Sequence, residues 1–246
     1  MIRAFYSGWL GVKGQQTAMD STANNIANVN TVGYKPKRVD FADTLYSNII
    51  RNRTQADQRL LAGSGVRPVQ TPTTFRDGAL MPTDRPLDLA IEGSGFFAVA
   101  DGQGNVSYTR AGGMYIGYTD DVPYLMSSGG RYVLGQDGNP IVIDAENDTQ
   151  LAEQIGNGTI NVGVFEFQNR DGLFPFAGTG FLETPLSGPA TLVAEPVIHQ
   201  GVLEGSGVDI TGEFSNMMQI QRAFQLSARV ITTADELEQT VNGLRP

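Results

Sequence analysis

At both ends of the chain apolar residues recur at alternating steps of four and three, while the stretch between them is marked by glycine, proline and short alternating runs. Near the N-terminus the repeat runs Phe5, Trp9, Val12, Met19, Ala23 and Ile26, with polar Gln16 in one slot. Near the C-terminus it runs Met217, Ile220, Phe224, Ser227, Ile231 and Ala234, followed by Glu238 and Val241. This spacing predicts a helix over residues 4–29 and another over 210–244, each with a seam of coiled-coil type. Ala223, Val230, Leu237 and Leu244 widen the second stripe, as in an ordinary packed globular helix, so the pattern leaves both readings open. A single seam against one partner does not offset the entropy of ordering so long a helix. The ends are therefore expected to be poorly ordered in a dilute monomer and to fold on assembly.

The first helix has a legible stop. Asn24, Asn25, Asn28 and Asn30 crowd its last turns, Gly33 offers a left-handed terminus and Pro36 opposes continuation. Phe41, Leu45 and Ile49, with Tyr46 and Ile50 beside them, predict one or two further helical turns. From Arg51 to Pro86 the density of proline and glycine predicts a stiff extended arm, with Val66, Val69, Phe75 and Leu80 apolar enough to pack. Strand candidates then follow at Leu87–Ile91, Phe96–Ala100, Val106–Arg110, Arg131–Leu134, Ile141–Ile143 and Ile160–Phe167. Turn signals bound them at Asp101-Gly102, Asp137-Gly138, Asn157-Gly158 and Asp171-Gly172. An extended piece from Glu195 to Gly207 leads back to the last helix.

The fold class expected is α+β: terminal coiled-coil-forming helices from both chain ends, an extended β arm, and a central all-β domain of sandwich or irregular-barrel type. The expected divisions are 1–50, 51–86, 87–195 and 196–246.

Composition narrows the function classes. With 26 acidic against 17 basic residues, the chain is a poor partner for nucleic acid or an anionic bilayer. Arg51, Arg53 and Arg59 form a local basic cluster that reads as a solvated loop. No cysteine and a single histidine, His199, exclude disulfides and the usual zinc sets. His199 lacks the nucleophile elbow of a serine hydrolase and is expected to play a structural or surface role. Gly93-Ser94-Gly95 lacks the third glycine and the helix of a dinucleotide loop, and reads as a bend entering a strand. Asp101, Gln103 and Asn105 lack EF-hand spacing and read as a hairpin turn. The acidic pairs Asp120 with Asp121 and Glu146 with Asp148 read as solvated loops. No catalytic residue, cofactor, metal or small-molecule substrate is expected. The first residues lack the apolar core and cleavage site of a secretory signal, and no apolar run is long enough to span a membrane.

Three stretches together carry a resemblance. The first is Ala23-Asn24-Asn25-Ile26-Ala27-Asn28-Val29-Asn30-Thr31-Val32-Gly33-Tyr34-Lys35. The second is Leu87-Asp88-Leu89-Ala90-Ile91-Glu92-Gly93-Ser94-Gly95-Phe96-Phe97, followed by Tyr108-Thr109-Arg110. The third is Gln200-Gly201-Val202-Leu203-Glu204-Gly205-Ser206-Gly207-Val208, continuing through Met217, Gln221, Arg222, Ala223 and Phe224. In this order they resemble the bacterial flagellar axial proteins of the rod and hook, and the rod proteins above all. Gly63-Ser64-Gly65-Val66 and Pro68, with Gly78, Leu80 and Thr83, are similar to the arm of the distal type.

The resemblance implies a non-enzymatic subunit of the basal-body rod, self-assembling into a hollow helical tube that transmits torque from motor to hook. It implies terminal helices as the inner layer and the β domain outside. It also implies partners among other rod and hook proteins, and export by the flagellar type III apparatus without a cleaved signal. On this reading Phe5, Trp9, Val12, Met19 and Ile26 pack with Met217, Ile220, Phe224, Ile231, Ala234 and Val241 within or between subunits. Asn24, Asn25, Asn28 and Gly33 shape the end of the first helix. A proximal rod subunit or rod paralogue is the alternative within the family. A soluble β-domain binding module or adhesin, with an aromatic groove at Tyr115, Tyr118 and Tyr124, is the alternative outside it.

Overall fold

The structure, a computed structural model of the chain, describes residues 2–44, 47–48, 61–143 and 161–244. The predicted turn at Asn157-Gly158, the arginine cluster at 51–59 and the pair Glu146 and Asp148 lie outside them. The architecture is α+β, with a helix at each end and antiparallel strands between, and the chain divides into two compact units.

The first unit comprises Met1–Ala27, Lys37–Pro72 and Asp209–Pro246. Helix α1 spans Ile2–Ala27. Strand β1 (Asp40–Asp43) pairs antiparallel with a strand of the arm. Where Phe41, Leu45 and Ile49 predicted helical turns, the described residues are therefore extended: β1 and then β2 (Ser47–Asn48), which pairs with β3 (Leu61–Ala62). Leu45, Tyr46, Ile49 and Ile50 lie outside the described residues. For Phe41 the physical reason is that a helix of one or two turns is a poor nucleus. The proline-rich arm instead supplies a ready strand, β4 (Val66–Gln70), placing Pro68 opposite Phe41.

The second unit comprises Asn28–Pro36 and Thr73–Val208. Its strands in chain order are β5 (Leu80–Pro82), β6 (Leu89–Glu92), β7 (Phe96–Ala100), β8 (Val106–Thr109), β9 (Met114–Thr119), β10 (Val122–Ser127) and β11 (Tyr132–Val133). They continue with β12 (Val164–Glu166), β13 (Phe174–Phe176), β14 (Gly180–Leu182), β15 (Thr191–Leu192), β16 (Val197–Gln200) and β17 (Val202–Glu204). The main sheet runs β13-β14-β8-β7-β11-β10-β9 and branches at β7. Phe96 and Phe97 pair with β12, while Val99 and Ala100 pair with β11.

All five residues of β7 are buried, because each face of the strand meets its own core. Phe97 and Val99 join Leu89, Ile91, Met114, Leu125 and Val133; Phe96, Ala98 and Ala100 join Tyr108, Phe167, Leu173 and Phe181. Alternation of side chains along a strand produces this division. Two short ribbons complete the unit, β16 on β6 and β17 on β5.

Strands β9 and β10, residues 114–127, form a hairpin. Its turn residues, Asp120 and Asp121, both take positive φ, 51° and 61°, the backbone of a type I′ connection.

Helix α2 spans Ile210–Gly243 and belongs to the first unit. Asp209 caps it, its carboxylate accepting from Thr211 N at 3.1 Å. Glu213 in the first turn suits the positive end of the helix. No helix among the described residues is long and apolar enough to cross a membrane.

Candidate assembly surface

In the first unit α1 and α2 pack in opposite directions, Gly8 and Gly11 lying against Ile231 and Ser227 and Asn25 reaching Glu213 near the other end. The face of α1 that makes this contact is small or polar: Gly8, Gly11, Ala18, Thr22 and Asn25. A Cβ on Gly8 would stand 2.9 Å from Ile231 Cγ1, and one on Gly11 2.9 Å from Ser227 Oγ. Gly14 turns toward the β1–β4 ribbon, where its Cβ would meet Phe41 Cε1 at 3.2 Å, and Leu10 meets Gly65 of the arm.

The aromatic residues of the α1 repeat stand outside these contacts. Phe5 is 49% exposed and Trp9 44%, with Tyr6 stacked beside Trp9 at 5.8 Å and Lys13 over its ring. Val12, Met19 and Ile26 are half-buried.

On α2, Met217, Ile220, Phe224 and Ile231 are half-buried and Ala234 is buried, whereas Val241 is exposed. Phe214 and Met218 to one side of this seam, and Leu226, Val230, Leu237 and Leu244 to the other, are also exposed. Exposed clusters of large apolar side chains are the usual mark of an interaction face.

Asn25 is the polar pin of this unit and is 1% exposed. Its Oδ1 accepts from Lys37 N at 2.9 Å, and its Nδ2 donates to Lys37 O at 2.7 Å and to Glu213 Oε1 at 3.1 Å. One amide thus ties α1, the chain entering β1 and α2. Burial raises the pKa of Glu213 above the ordinary value of 4.5, the nearby charge of Asp209 adding to it and the bond from Asn25 opposing it. Asn24 on α1 is exposed.

In the second unit Thr31 Oγ1 donates to Asn28 Oδ1 at 3.1 Å, and Thr31 N and Tyr34 N close successive turns on Asn28 O and Thr31 O. Gly33 follows at φ 67°, where a Cβ would lie 2.6 Å from Ala111 N, so no other residue fits.

The motifs quoted separately from the sequence meet in this unit. Glu204 is 2% exposed. Its Oε1 accepts from Lys35 Nζ at 2.6 Å and from Gly78 N at 3.0 Å; its Oε2 accepts from Arg110 Nη1 at 3.2 Å. Lys35 Nζ also donates to Arg76 O at 2.7 Å, and Arg110 donates to Ile91 O and Gly93 O. Asp77, largely exposed, stands 3.8 Å from Lys35 and 3.9 Å from Arg110. Burial lowers the pKa of Lys35, against the pull of Glu204. This cluster was not anticipated from the sequence. Its one signal was a lone charge amid apolar and small neighbours in two of the stretches, Lys35 in 23–35 and Glu204 in 200–208.

The candidates for chemistry are ordinary structural groups. His199 lies on β16 with Nε2 2.8 Å from Glu92 Oε2 across the ribbon, both side chains exposed. Asp101 closes its hairpin by accepting from Gln103 N and Asn105 N, each at 2.9 Å, and the Asn105 side chain holds its carboxyl below the usual range. Gly93 takes φ 96° in the bend before β7. Among the described residues no group of acidic and histidine side chains converges as a metal site.

Comparison with known proteins accounts for this combination. Residues 6–35 match the family described as flagella basal body rod protein, 90–162 the flagellar hook protein FlgE/F/G D1 domain, and 199–244 the flagellar basal body rod FlgEFG protein C-terminal. The flagellar basal-body rod protein FlgG of Bacillus subtilis is 36% identical, covering all of both chains. That of Caulobacter vibrioides is 33% identical over 99% of this chain and all of its own. The flagellar hook protein FlgE of Borreliella burgdorferi is 39% identical over 46% of this chain and 26% of its own. With both helices, the intervening D1 region and end-to-end relatives all agreeing, the chain belongs to the FlgG family of flagellar basal-body rod proteins.

Proposed function

We propose that this chain is a distal-type rod subunit that self-assembles through its terminal helices into a hollow helical tube and so carries torque from motor to hook. Its family is structural and non-enzymatic and belongs to the flagellar basal body. The observation that carries the assembly reading is the set of exposed apolar residues on both flanks of α2, Phe214 and Met218 on one and Leu226, Val230, Leu237 and Leu244 on the other, with exposed Phe5 and Trp9 on α1. On its side of the helix pair α1 offers glycine, alanine and threonine, which leaves the large side chains of Phe5 and Trp9 for other copies.

On this reading Phe5, Trp9, Val12, Met19 and Ile26 with Met217, Ile220, Phe224, Ile231, Ala234 and Val241 form coiled-coil contacts of an inner layer. Asn24, Asn25, Asn28 and Gly33 fix where the first helix ends. The ends, 1–50 and 196–246, build that layer, 51–86 forms the extended arm, and the domain 87–195 lies outside the layer. That outer domain is of sandwich or irregular-barrel type. The subunit reaches the rod through the flagellar type III export apparatus and joins other rod and hook proteins there.

Electron microscopy of the full chain at high concentration, beside chains lacking residues 2–27 or 210–244, tests this. Tubes or filaments that need both helices are expected. A stable monomer indifferent to either deletion overturns the proposal in favour of a soluble binding module.

A further inference from the structure

We infer that Lys35, Arg110 and Glu204 are positioning residues forming a register lock: a buried charge cluster that selects which residues of the return strand β17 face β5. The ribbon itself specifies its register weakly. Val202 pairs with Pro82, Leu203 with Met81 and Glu204 with Leu80. The three β5 residues are exposed, and Val202 and Leu203 are half-buried. Strand register is ordinarily fixed by the burial of one apolar face, and this pair has none. The sole fully buried side chain in the ribbon is that of Glu204.

Backbone contacts leave the choice open as well. Gly33 N donates to Glu204 O, Gly205 N to Ala79 O and Gly207 N to Tyr34 O, bonds that any residue at those places makes. Gly201, at φ 68° between β16 and β17 and accepting from Thr83 N at 2.7 Å, favours the native start of the strand, but the glycines that follow do not settle the rest alone. A Cβ at Gly205 would lie 3.1 Å from Ala79 O and one at Gly207 2.7 Å from Arg76 O, and the two recur at the strand period of two. A two-residue slip can therefore still bring a glycine to the place facing Ala79.

The charges remove that degeneracy. A slip of one residue brings Leu203 or Gly205 to the place of Glu204, and a slip of two brings Val202 or Ser206. None has a carboxylate, and no other acidic residue lies between Glu195 and Asp209. Every slipped register thus leaves Lys35 and Arg110, whose side chains are 1% and 2% exposed, without the anion that both face. Asp77 cannot substitute, because it stands beyond hydrogen-bond reach of both and is largely exposed. Removing one member of a buried charged set strands the others, whereas replacing the whole set with apolar residues of similar size is often neutral. A lock of this kind therefore acts against wrong pairings more than it stabilises the right one.

The chain has no cysteine, so introduced pairs report register cleanly. In the full chain, Leu203→Cys with Met81→Cys reads the native pairing, and Leu203→Cys with Ala79→Cys or Thr83→Cys reads two-residue slips, since directly paired strand residues lie within disulfide reach. In the otherwise unchanged chain only the first pair crosslinks. With Lys35→Met, Arg110→Met and Glu204→Leu combined, the chain folds with unchanged circular dichroism, and the native-to-slipped crosslink ratio falls at least about tenfold. Lys35→Met alone keeps the Arg110–Glu204 pair, folds, and gives an intermediate ratio. An exclusive native crosslink in either folded variant overturns the lock. If the triple variant does not fold, the ratio in Lys35→Met decides: mixed crosslinks sustain the proposal and an exclusive native crosslink overturns it.

Discussion

The two units of this protein solve burial in opposite ways. In the β unit, Phe96, Phe97, Leu89, Leu125, Val133 and Val164 are almost wholly withdrawn from solvent around β7. In the helical unit, the buried side chains among the described residues, glycine aside, are Ala18, Thr22, Asn25 and Ala234. The β unit spends its large apolar residues on itself. The helical unit holds together through close backbone approach, a half-buried seam and one asparagine, and leaves many of its large apolar residues, among them Phe5, Trp9, Phe214, Leu226 and Leu237, exposed. A region that does not consume its own apolar surface is built to be completed by something else.

That contrast is testable, and its largest effect lies in the β unit. Phe97→Ala removes a side chain from the middle of a closed core and should cost about 3–5 kcal/mol. It should be visible as a large fall in the denaturation midpoint of the monomer. A cost under about 1 kcal/mol would mean that this core is not the source of the unit's stability.

Leu226→Asp with Leu237→Asp should do the reverse. Both side chains are more than half exposed, so the dilute monomer should keep its stability to within about 0.5 kcal/mol, as for other surface changes. Tubes seen by electron microscopy at high concentration should be lost. A strong fall in monomer stability would show that this row is consumed within the chain and that the contrast is false.

How much of this was legible in the sequence depends on what kind of residue carries each feature. The helices were visible because Phe5 to Ile26 and Met217 to Ala234 repeat at helical spacing, and β7 because Phe96 to Ala100 is bounded by Gly95 and Asp101-Gly102. The contact face of α1 was not, because Gly8, Gly11, Ala18 and Thr22 give little hydropathy signal and matter through the space they leave. The hairpin at 114–127 was blurred because its turn is Asp120-Asp121, where positive φ falls on residues other than glycine. Phe41 misled because its four-residue spacing to Leu45 and Ile49 also fits a helix, and the partner that made it a strand, Pro68, lies within the arm, 27 positions on. Lys35, Arg110 and Glu204 were quoted as parts of separate motifs, but only the fold brings charges 94 and 169 positions apart within hydrogen-bond reach.

The close approach of the helices can be probed by adding one methyl group. Alanine is the better helix former by about 1 kcal/mol. At Gly8 that gain meets a Cβ 2.9 Å from Ile231 Cγ1, with Ser227 O at 3.4 Å and Val230 at 3.5 Å, and overpacking costs about 1–3 kcal/mol. At Gly11 the nearest atom is Ser227 Oγ, which rotates away more easily. Gly8→Ala should therefore lower the thermal midpoint of the helical signal and Gly11→Ala should change it less. Equal effects would mean that the helices do not approach most tightly at Gly8.

The smallest effect concerns pH and falls on the polar pin. Glu213 has its pKa raised in the folded chain, first by burial and then by Asp209, against the opposing bond from Asn25. A carboxyl whose folded pKa exceeds its unfolded value binds more protons when folded. Its contribution is thus fully present below about pH 4.5 and is lost as pH rises through the folded pKa. The helix N-terminus favours the ionised form, yet the net direction remains upward. Glu213→Gln keeps an oxygen to accept from Asn25 Nδ2 and removes the charge beside Asp209. Thermal melts of the helical signal at pH 4.5 and pH 7 should show the unchanged chain losing midpoint as pH rises and the variant losing less. Because the carboxyl is only partly buried and solvent screens it, this difference should be the smallest of the four. If the variant keeps the full pH slope, Glu213 is not its source, and the helical unit owes its junction to the asparagine amide alone.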